Sequence, residues 1–225
     1  MKTDMNKLLL HYIHDPLCGW CYAASSLVKA AAADGIDIKL HGGGLWGTPT
    51  SLTAETRRYI RMNDRRIAEL TGLPFEPVYL NELLDDPATI FWSRPVIAAV
   101  IAAGALRSGA DLEMLHAIQI GHYVQGRRVV DDGVLTDLAG QIGLAADDFA
   151  DALRNSQADE HIRSSRHLMA QYGIKGFPGF VLEHAGEYTP IRHEPFYGNP
   201  EAFSAALLGI VTSSLDKAGH HRAAG

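Results

Sequence analysis

The chain has 225 residues, with 20 Lys and Arg against 26 Asp and Glu, which gives a formal net charge of −6. Apolar residues make up 47% of the composition and charged residues 20%, which excludes a disordered or fibrous chain and leaves one large globular domain or two small ones. Nucleic-acid-binding proteins usually carry a basic surface, so this acidic balance also argues against a nucleic-acid partner.

The start of the chain does not resemble an export signal. Only Leu8, Leu9 and Leu10 form an apolar run before His11, and a secretory hydrophobic region is longer. The longest uncharged apolar stretches, 95–106 and 202–215, are shorter than the roughly 18 residues that a membrane span requires. We therefore expect a cytoplasmic protein without a membrane partner.

The first 40 residues predict a strand, a helix and a second strand. Residues 8–14 form the continuous apolar run that is typical of a strand buried on both faces. Residues 22–33 are rich in Ala and Leu, which favour a helix, and residues 36–40 alternate between apolar and polar side chains as a strand does. Together these elements predict a right-handed βαβ unit.

From Ser51 to Tyr172 the apolar residues recur at helical spacing, and no strand pattern is visible there. The spacing predicts helices over 54–70, 93–106, 112–124, 135–142 and 147–172. The order of elements therefore predicts an α/β fold whose two parts, 1–50 and 173–225, are separated by an all-helical insertion over 51–172.

The end of the chain predicts a hairpin and a helix. Residues 180–182 form a short apolar strand, and a turn at 185–186 leads into a second strand over 187–192, where Pro190 indicates an edge position. Asn199 is expected to cap a last helix over 202–215, and the residues from Gly219 onwards are expected to fray.

The only two cysteines lie in the sequence Cys18-Gly19-Trp20-Cys21, between the first predicted strand and its helix. Two cysteines exclude a multi-disulfide scaffold and a four-cysteine zinc site, although half of a mixed metal site stays an alternative. Residues three apart at a helix start lie on one face, and the helix N-terminus stabilises a thiolate. We therefore expect Cys18 to be the more exposed nucleophile and Cys21 to be the resolving thiol.

A second motif, Gly176-Phe177-Pro178-Gly179-Phe180, precedes the late hairpin. With the strand-Cys-x-x-Cys-helix arrangement it resembles the thioredoxin fold, and the long helical insertion makes the chain similar to the DsbA-like branch, especially its FrnE-type cytoplasmic members. The resemblance makes 1–50 and 173–225 a thioredoxin-like domain. It also implies that Pro178 is cis and covers the redox pair, and that the backbone of Phe177 pairs with an extended substrate peptide.

The sequence departs from this family in the residues that tune the cysteines. Gly19 and Trp20 stand between the cysteines, where the strongly oxidising periplasmic members have a histidine, so an extreme oxidising potential is not expected. Thioredoxins place a buried acid near the resolving cysteine. Asp15 lies past the predicted strand and is not assigned that role, which leaves His14 as the nearest titratable alternative. Trp20 is expected to be an exposed recognition residue.

Two further patterns have ordinary structural interpretations. Five arginines crowd the helix predicted over 54–70, namely Arg57, Arg58, Arg61, Arg65 and Arg66. We interpret them as a solvated helix face, with an anionic partner as the alternative. Residues 41–44, His-Gly-Gly-Gly, are interpreted as a turn at a strand end, because the Gly-x-Ser-x-Gly motif of hydrolases does not accompany them.

The sequence thus predicts an enzyme, a thiol–disulfide oxidoreductase or isomerase that uses Cys18 and Cys21. Its expected partners are protein or peptide disulfides, with glutathione as a further candidate, and it needs neither a metal nor an organic cofactor because the sulfurs hold the electrons. One alternative is a glutathione-dependent transferase or isomerase of the kappa or 2-hydroxychromene-2-carboxylate isomerase type, which the chain resembles in architecture. Another is a redox-responsive, chaperone-like peptide-binding module. Homodimer formation through the helices stays open.

Overall fold

The apolar run after residue 8 forms the central strand of a mixed sheet in the computed structural model, which describes residues 8–210. The strands of this part of the chain are β1 (Leu9–His14), β2 (Asp37–Gly42), β3 (Thr50–Ser51), β4 (Ile90–Phe91), β5 (Gly179–His184) and β6 (Glu187–Pro190). Four of them form the main sheet in the order β2-β1-β5-β6. The predicted βαβ unit and the edge position of the last strand are confirmed.

Strand β1 has a strand partner at each edge, and its side chains, apolar apart from His11 and His14, are almost all buried. It runs parallel to β2, with Leu10 opposite Ile38, and antiparallel to β5, with Leu10 also opposite Leu182. Tyr12 and Ile13, which point to opposite faces, are 1% and 0% exposed. A strand covered on both faces has no position for a solvated side chain.

The helix that follows the cysteines begins earlier than predicted and has a break. Helix α1 (Gly19–Ala23) and helix α2 (Ser25–Ala33) are separated at Ala24. Hydrogen bonds continue across the break, because the Ala24 N–H donates to the Trp20 carbonyl and the Val28 N–H donates to the Ala24 carbonyl. The two helices therefore act as one slightly irregular element behind the cysteines.

The segment between β2 and β5 is mainly helical, as predicted. Its helices are α3 (Ala54–Thr71), α4 (Ser93–Leu106), α5 (Ala110–Tyr123), α6 (Asp132–Gln141), α7 (Ala146–Arg154) and α8 (Ala158–Gln171), with a π-helical segment at Val78–Leu83. The prediction of one helix over 147–172 is wrong. Asn155 and Ser156, whose side chains compete for backbone hydrogen bonds, separate α7 from α8.

The expectation that this segment contains no strand is also wrong. Residues Thr50 and Ser51 pair antiparallel with Phe91 and Ile90 to form a second, two-stranded sheet. Strands of two residues are too short to show an alternating pattern, so the sequence gives no periodic signal for them.

One apolar cluster runs from the main sheet into the helical segment. It includes Leu10 and Phe180 of the sheet together with Val96, Met114 and Phe149 of α4, α5 and α7. The sheet and the helices therefore share a core, and the division into a thioredoxin-like domain and an insertion at residues 51 and 172 stays a prediction.

The chain then returns to the sheet through a last helix over residues 200–210. The Asn199 side chain caps this helix by accepting from the Ala202 N–H at 3.2 Å, and Phe203 packs on Phe180 with ring centroids 5.4 Å apart. The predicted extension to Leu215 and the fraying from Gly219 lie outside the described residues. No helix within 8–210 is long and apolar enough to cross a bilayer.

Candidate active site

The two cysteines lie where β1 gives way to α1. Cys18 is the N-cap residue of α1, with extended backbone angles of φ −100° and ψ 116°, and Cys21 follows in the first turn. Both are free thiols whose side chains hydrogen-bond to each other. Cys18 is 6% exposed and Cys21 is 0% exposed, so Cys18 is the more accessible of the two sulfurs.

Cys21 is held in its protonated form. Burial raises the pKa of the Cys21 thiol well above its usual value, and the hydrogen bond with Cys18 raises it further. The backbone N–H of Asp15, which lies 3.4 Å from the Cys21 sulfur, opposes this effect. Cys21 therefore needs a proton acceptor before it can attack a disulfide.

Asp15 is the buried acid beside Cys21. Its carboxylate accepts from the Leu17 N–H at 2.9 Å and from the Leu45 N–H at 2.7 Å, and the Ser93 hydroxyl also hydrogen-bonds to it. Burial raises the pKa of Asp15, whereas these hydrogen bonds lower it. The negative charge of Asp15 contributes to the raised pKa of Cys21, which places the two groups within electrostatic reach.

His14, the alternative offered by the sequence, lies in a different environment. Burial lowers the pKa of His14 to about 3, so the ring is neutral, and neither ring nitrogen has a hydrogen-bond partner among residues 8–210. The structure thus brings Asp15 to Cys21 through a hydrogen bond and gives His14 no such link. The sequence signal for Asp15 is its place between β1 and the Cys-x-x-Cys motif.

The loop before β5 covers Cys18. The peptide bond between Phe177 and Pro178 is cis, as the resemblance implies. The Cys18 thiol donates to the Phe177 carbonyl oxygen, with 3.8 Å between sulfur and oxygen. A ring nitrogen of His193 lies 3.0 Å from the Pro178 carbonyl oxygen and holds the other end of this loop.

The ring of Phe177 packs on the glycine run after β2. A Cβ atom at Gly43 would lie 2.3 Å from Cε1 of Phe177, so only glycine permits this contact. The run is the turn that the sequence predicts, and it also makes room for Phe177. The Arg166 guanidinium also lies over the Phe177 ring, 5.1 Å from the ring centroid.

Trp20 is half-buried, which corrects the expectation that it is exposed. Its ring lies 5.3 Å from the Tyr197 ring, and the Arg66 guanidinium lies 5.7 Å from its centroid. The Tyr197 hydroxyl also donates to the Trp20 carbonyl at 3.3 Å. Contacts from α3 and from the segment after β6 therefore fix the dipeptide between the cysteines.

Asp64 of α3 is a second buried acid at the site, and the sequence analysis missed it. A Cβ atom at Gly19 would lie 2.7 Å from Oδ1 of Asp64, and Tyr79 donates its hydroxyl to Oδ2 at 2.9 Å. Burial raises the pKa of Asp64 to about 7, opposed by the Tyr79 hydrogen bond. Its sequence signal is an acid at the buried-face position between Ile60 and Ile67.

No group of three or more His, Cys, Asp or Glu side chains within 8–210 is arranged to hold a metal ion. The chemistry that this site offers resides in the two sulfurs and in the buried acids around them.

The fold and the cysteine pair define a thiol–disulfide oxidoreductase. The chain belongs to the DSBA-like thioredoxin domain family, whose model matches residues 12–199. The prediction of this family and of its fold is confirmed.

Among solved structures, the chain is similar to the cytosolic disulfide reductase DsbM from Pseudomonas aeruginosa. The two are 41% identical, with a TM-score of 0.84, and the match covers 91% of this chain and 98% of that one. A structure of the same protein with GSH matches at 40% identity and a TM-score of 0.83, over 91% of this chain and 99% of that one.

A structure of 2-hydroxychromene-2-carboxylate isomerase also matches, at 14% identity and a TM-score of 0.59, over 96% of this chain and 98% of that one. An identity this low shows only a shared fold. No curated protein matches the chain.

Proposed function

We propose that the protein is a cytoplasmic disulfide reductase in which Cys18 attacks the substrate disulfide and Cys21 resolves the product. The observation that carries this proposal is the unequal placement of the two sulfurs. Cys18 lies at the N-cap of α1 under the Phe177 carbonyl, whereas Cys21 is fully buried one turn behind it. A substrate sulfur can thus approach Cys18, and only an enzyme-bound disulfide can reach Cys21.

The reaction has two exchange steps. The Cys18 thiolate attacks one sulfur of the substrate, forms a mixed disulfide and releases the first substrate thiolate, which takes a proton. Cys21 then loses its proton, attacks the Cys18 sulfur and releases the second substrate thiolate. Two enzyme thiols are oxidised to one disulfide, and one substrate disulfide is reduced to two thiols.

Asp15 is suited to accept the Cys21 proton. Its pKa is raised by burial, so the carboxylate binds a proton more readily than an exposed aspartate does, and its charge lies within electrostatic reach of the Cys21 thiol. Proton loss from Cys21 is the energetically unfavourable part of the second step, because burial favours the thiol over the thiolate.

Two observations support the reducing direction. The dipeptide Gly19-Trp20 supplies no cation that would stabilise the reduced pair as a thiolate, which is what makes a dithiol pair strongly oxidising. The similar protein DsbM is named a cytosolic disulfide reductase.

We take the substrates to be protein or peptide disulfides and glutathione-containing disulfides. The Phe177 carbonyl lies beside Cys18, where an extended peptide would hydrogen-bond with the backbone. The structure of DsbM with GSH supports glutathione as a ligand of this chain too.

The test combines a redox titration with two matched variants. Equilibration in glutathione buffers gives the reduction potential of the Cys18–Cys21 pair, and insulin reduction with dithiothreitol as the electron source gives turnover. Cys18→Ser should abolish turnover. Cys21→Ser should accumulate a mixed disulfide with glutathione that mass spectrometry detects, and Cys18→Ser should not.

Turnover that survives in Cys18→Ser would refute the proposed role of Cys18. Glutathione-dependent activity that is undiminished in Cys21→Ser would instead indicate chemistry with a single thiol, as in the isomerase alternative. A potential as oxidising as that of strong disulfide donors, about −120 mV, would refute the reducing direction.

A further inference from the structure

The two aromatic side chains next to Cys18 each have an arginine over the ring. Trp20 belongs to the dipeptide between the cysteines, and Arg66 of α3 lies over it at 5.7 Å. Phe177 contacts Cys18 through its carbonyl, and Arg166 of α8 lies over its ring at 5.1 Å. Two separate helices thus direct a cation to the entrance of one redox site.

Neither guanidinium group forms an ion pair among the described residues, although the charge of Arg166 lowers the pKa of Asp15. Ion pairs with Asp or Glu engage Arg61, Arg94, Arg107, Arg127, Arg128, Arg154 and Arg163. Within residues 8–210, Arg66 forms neither a hydrogen bond nor an ion pair, and Arg166 donates one hydrogen bond, from Nη2 to the Gly44 carbonyl at 2.6 Å. Both side chains belong to exposed residues, so most of their N–H donors are free.

Among the described arginines without an ion pair, Arg66 and Arg166 are distinguished by lying over aromatic rings that adjoin Cys18. Arginine binds carboxylates through two parallel N–H donors, and it stacks on aromatic rings at the same time. Stacking on Trp20 and Phe177 therefore orients both guanidinium groups and leaves their edges for a ligand.

We propose that Arg66 and Arg166 form carboxylate subsites beside Cys18, and that they select disulfides with negative charges close to the sulfurs, such as glutathione disulfides. This inference rests on the proposed function and adds to it the residues that recognise the charge of the substrate. A glutathione unit carries two carboxylates, one at each end of a tripeptide whose central residue bears the sulfur. When the glutathione sulfur contacts Cys18, the two carboxylates of the tripeptide would therefore lie near the residues that surround Cys18.

The test compares a charged with a neutral substrate in single-turnover reactions of pre-reduced, full-length protein. The charged substrate is glutathione disulfide, and the neutral one is bis(2-hydroxyethyl) disulfide. The measured quantity is the ratio of the two second-order rate constants. We expect Arg66→Ala and Arg166→Ala each to lower this ratio about tenfold, since hydrogen bonds to charged groups have energies of this order.

Arg58→Ala is the matched control, because Arg58 is exposed on the same helix α3 as Arg66 and has no ion pair among the described residues. This variant should leave the ratio within twofold of the wild-type value. Added salt should lower the ratio of the wild-type protein, because screening weakens attraction between exposed charges.

Equal slowing of both substrates in Arg66→Ala and Arg166→Ala would refute the proposal, since it would show that the arginines only position Trp20 and Phe177. An unchanged ratio would refute it as well. If the wild-type protein reduced neither disulfide, the proposed function would fail, and the subsites would be tested separately. Calorimetric titration with reduced glutathione should then still show weaker binding to Arg66→Ala/Arg166→Ala than to Arg58→Ala, and equal binding would refute them.

Discussion

Replacing Asp64 by Asn should change how the stability of the protein depends on pH. In the folded protein, burial raises the pKa of Asp64 from its ordinary value of 3.8 to about 7. Between these two values the unfolded chain has an ionised Asp64 and the folded protein a protonated one. The stabilising effect of the neutral carboxyl is therefore complete below the lower pKa and is lost as the pH rises through the higher one.

The expected size follows from the two pKa values. They differ by about three pH units, and each unit corresponds to about 1.4 kcal/mol, so Asp64 lowers the free energy of unfolding by about 4 kcal/mol between pH 4 and pH 8. Asn has a similar shape, accepts the Tyr79 hydroxyl through its Oδ1 and does not ionise. Asp64→Asn should thus resemble the wild type at pH 4 and be the more stable protein at pH 8.

Urea denaturation of both proteins between pH 4 and pH 8 gives the two stability curves. Other groups, such as the buried His14 and His122, titrate equally in both proteins and cancel in the difference. Asp159→Asn is the control, because Asp159 is exposed and Arg94 holds its pKa below the ordinary value. Compared with the wild type, Asp159→Asn should be slightly less stable at pH 8, which is the opposite of the effect expected for Asp64→Asn. Parallel curves for Asp64→Asn and the wild type would refute the reasoning.

Three further substitutions test the site and the core. Gly43→Ala should displace the Phe177 ring, lower the free energy of unfolding measured by urea denaturation by about 1–3 kcal/mol, and slow disulfide exchange. An unchanged exchange rate would show that the position of the ring is unimportant. Asp15→Asn should slow resolution of the Cys18 mixed disulfide more than its formation in quenched-flow experiments, and equal slowing would contradict its role as proton acceptor. Phe203→Ala should lower the free energy of unfolding by about 3–5 kcal/mol, because Phe203 is fully buried. Tyr59→Ala, at an exposed position, should lower it by less than about 0.5 kcal/mol.

The sequence predicted those parts of the fold whose pattern is local. The α4 range, Ser93–Leu106, matched at both ends because the apolar run over 95–106 is long and ends sharply. The boundary between α7 and α8 was missed, since the helical spacing of apolar residues on either side continues through it. The pairing of β3 with β4 joins Thr50 to Phe91 and Ser51 to Ile90, which are far apart in the chain, and only tertiary packing decides such a contact.

The residues of the candidate site also fall into two groups, those that a local motif predicts and those that only tertiary packing places there. Cys18, Cys21 and Pro178 belong to the first group because they lie in short, recognisable motifs. Asp64 and Arg66 lie more than 40 positions from the cysteines, and their local sequence does not indicate that α3 packs against α1. Trp20 was expected to be exposed from its position alone, and its burial depends on Tyr197, near the end of the described chain.

The position of β1 in the sheet has a consequence for how the protein is made. Its parallel neighbour β2 follows soon after it in the chain, but its antiparallel neighbour is β5 (Gly179–His184). During synthesis one edge of β1 therefore stays unpaired until most of the chain has left the ribosome, and an unpaired apolar strand is prone to aggregate. Over the same period Cys18 lacks the Phe177 carbonyl that contacts its thiol in the finished protein. The nascent chain thus carries both cysteines long before Phe177, and the contact between Cys18 and the Phe177 carbonyl can form only after β5 has been synthesised.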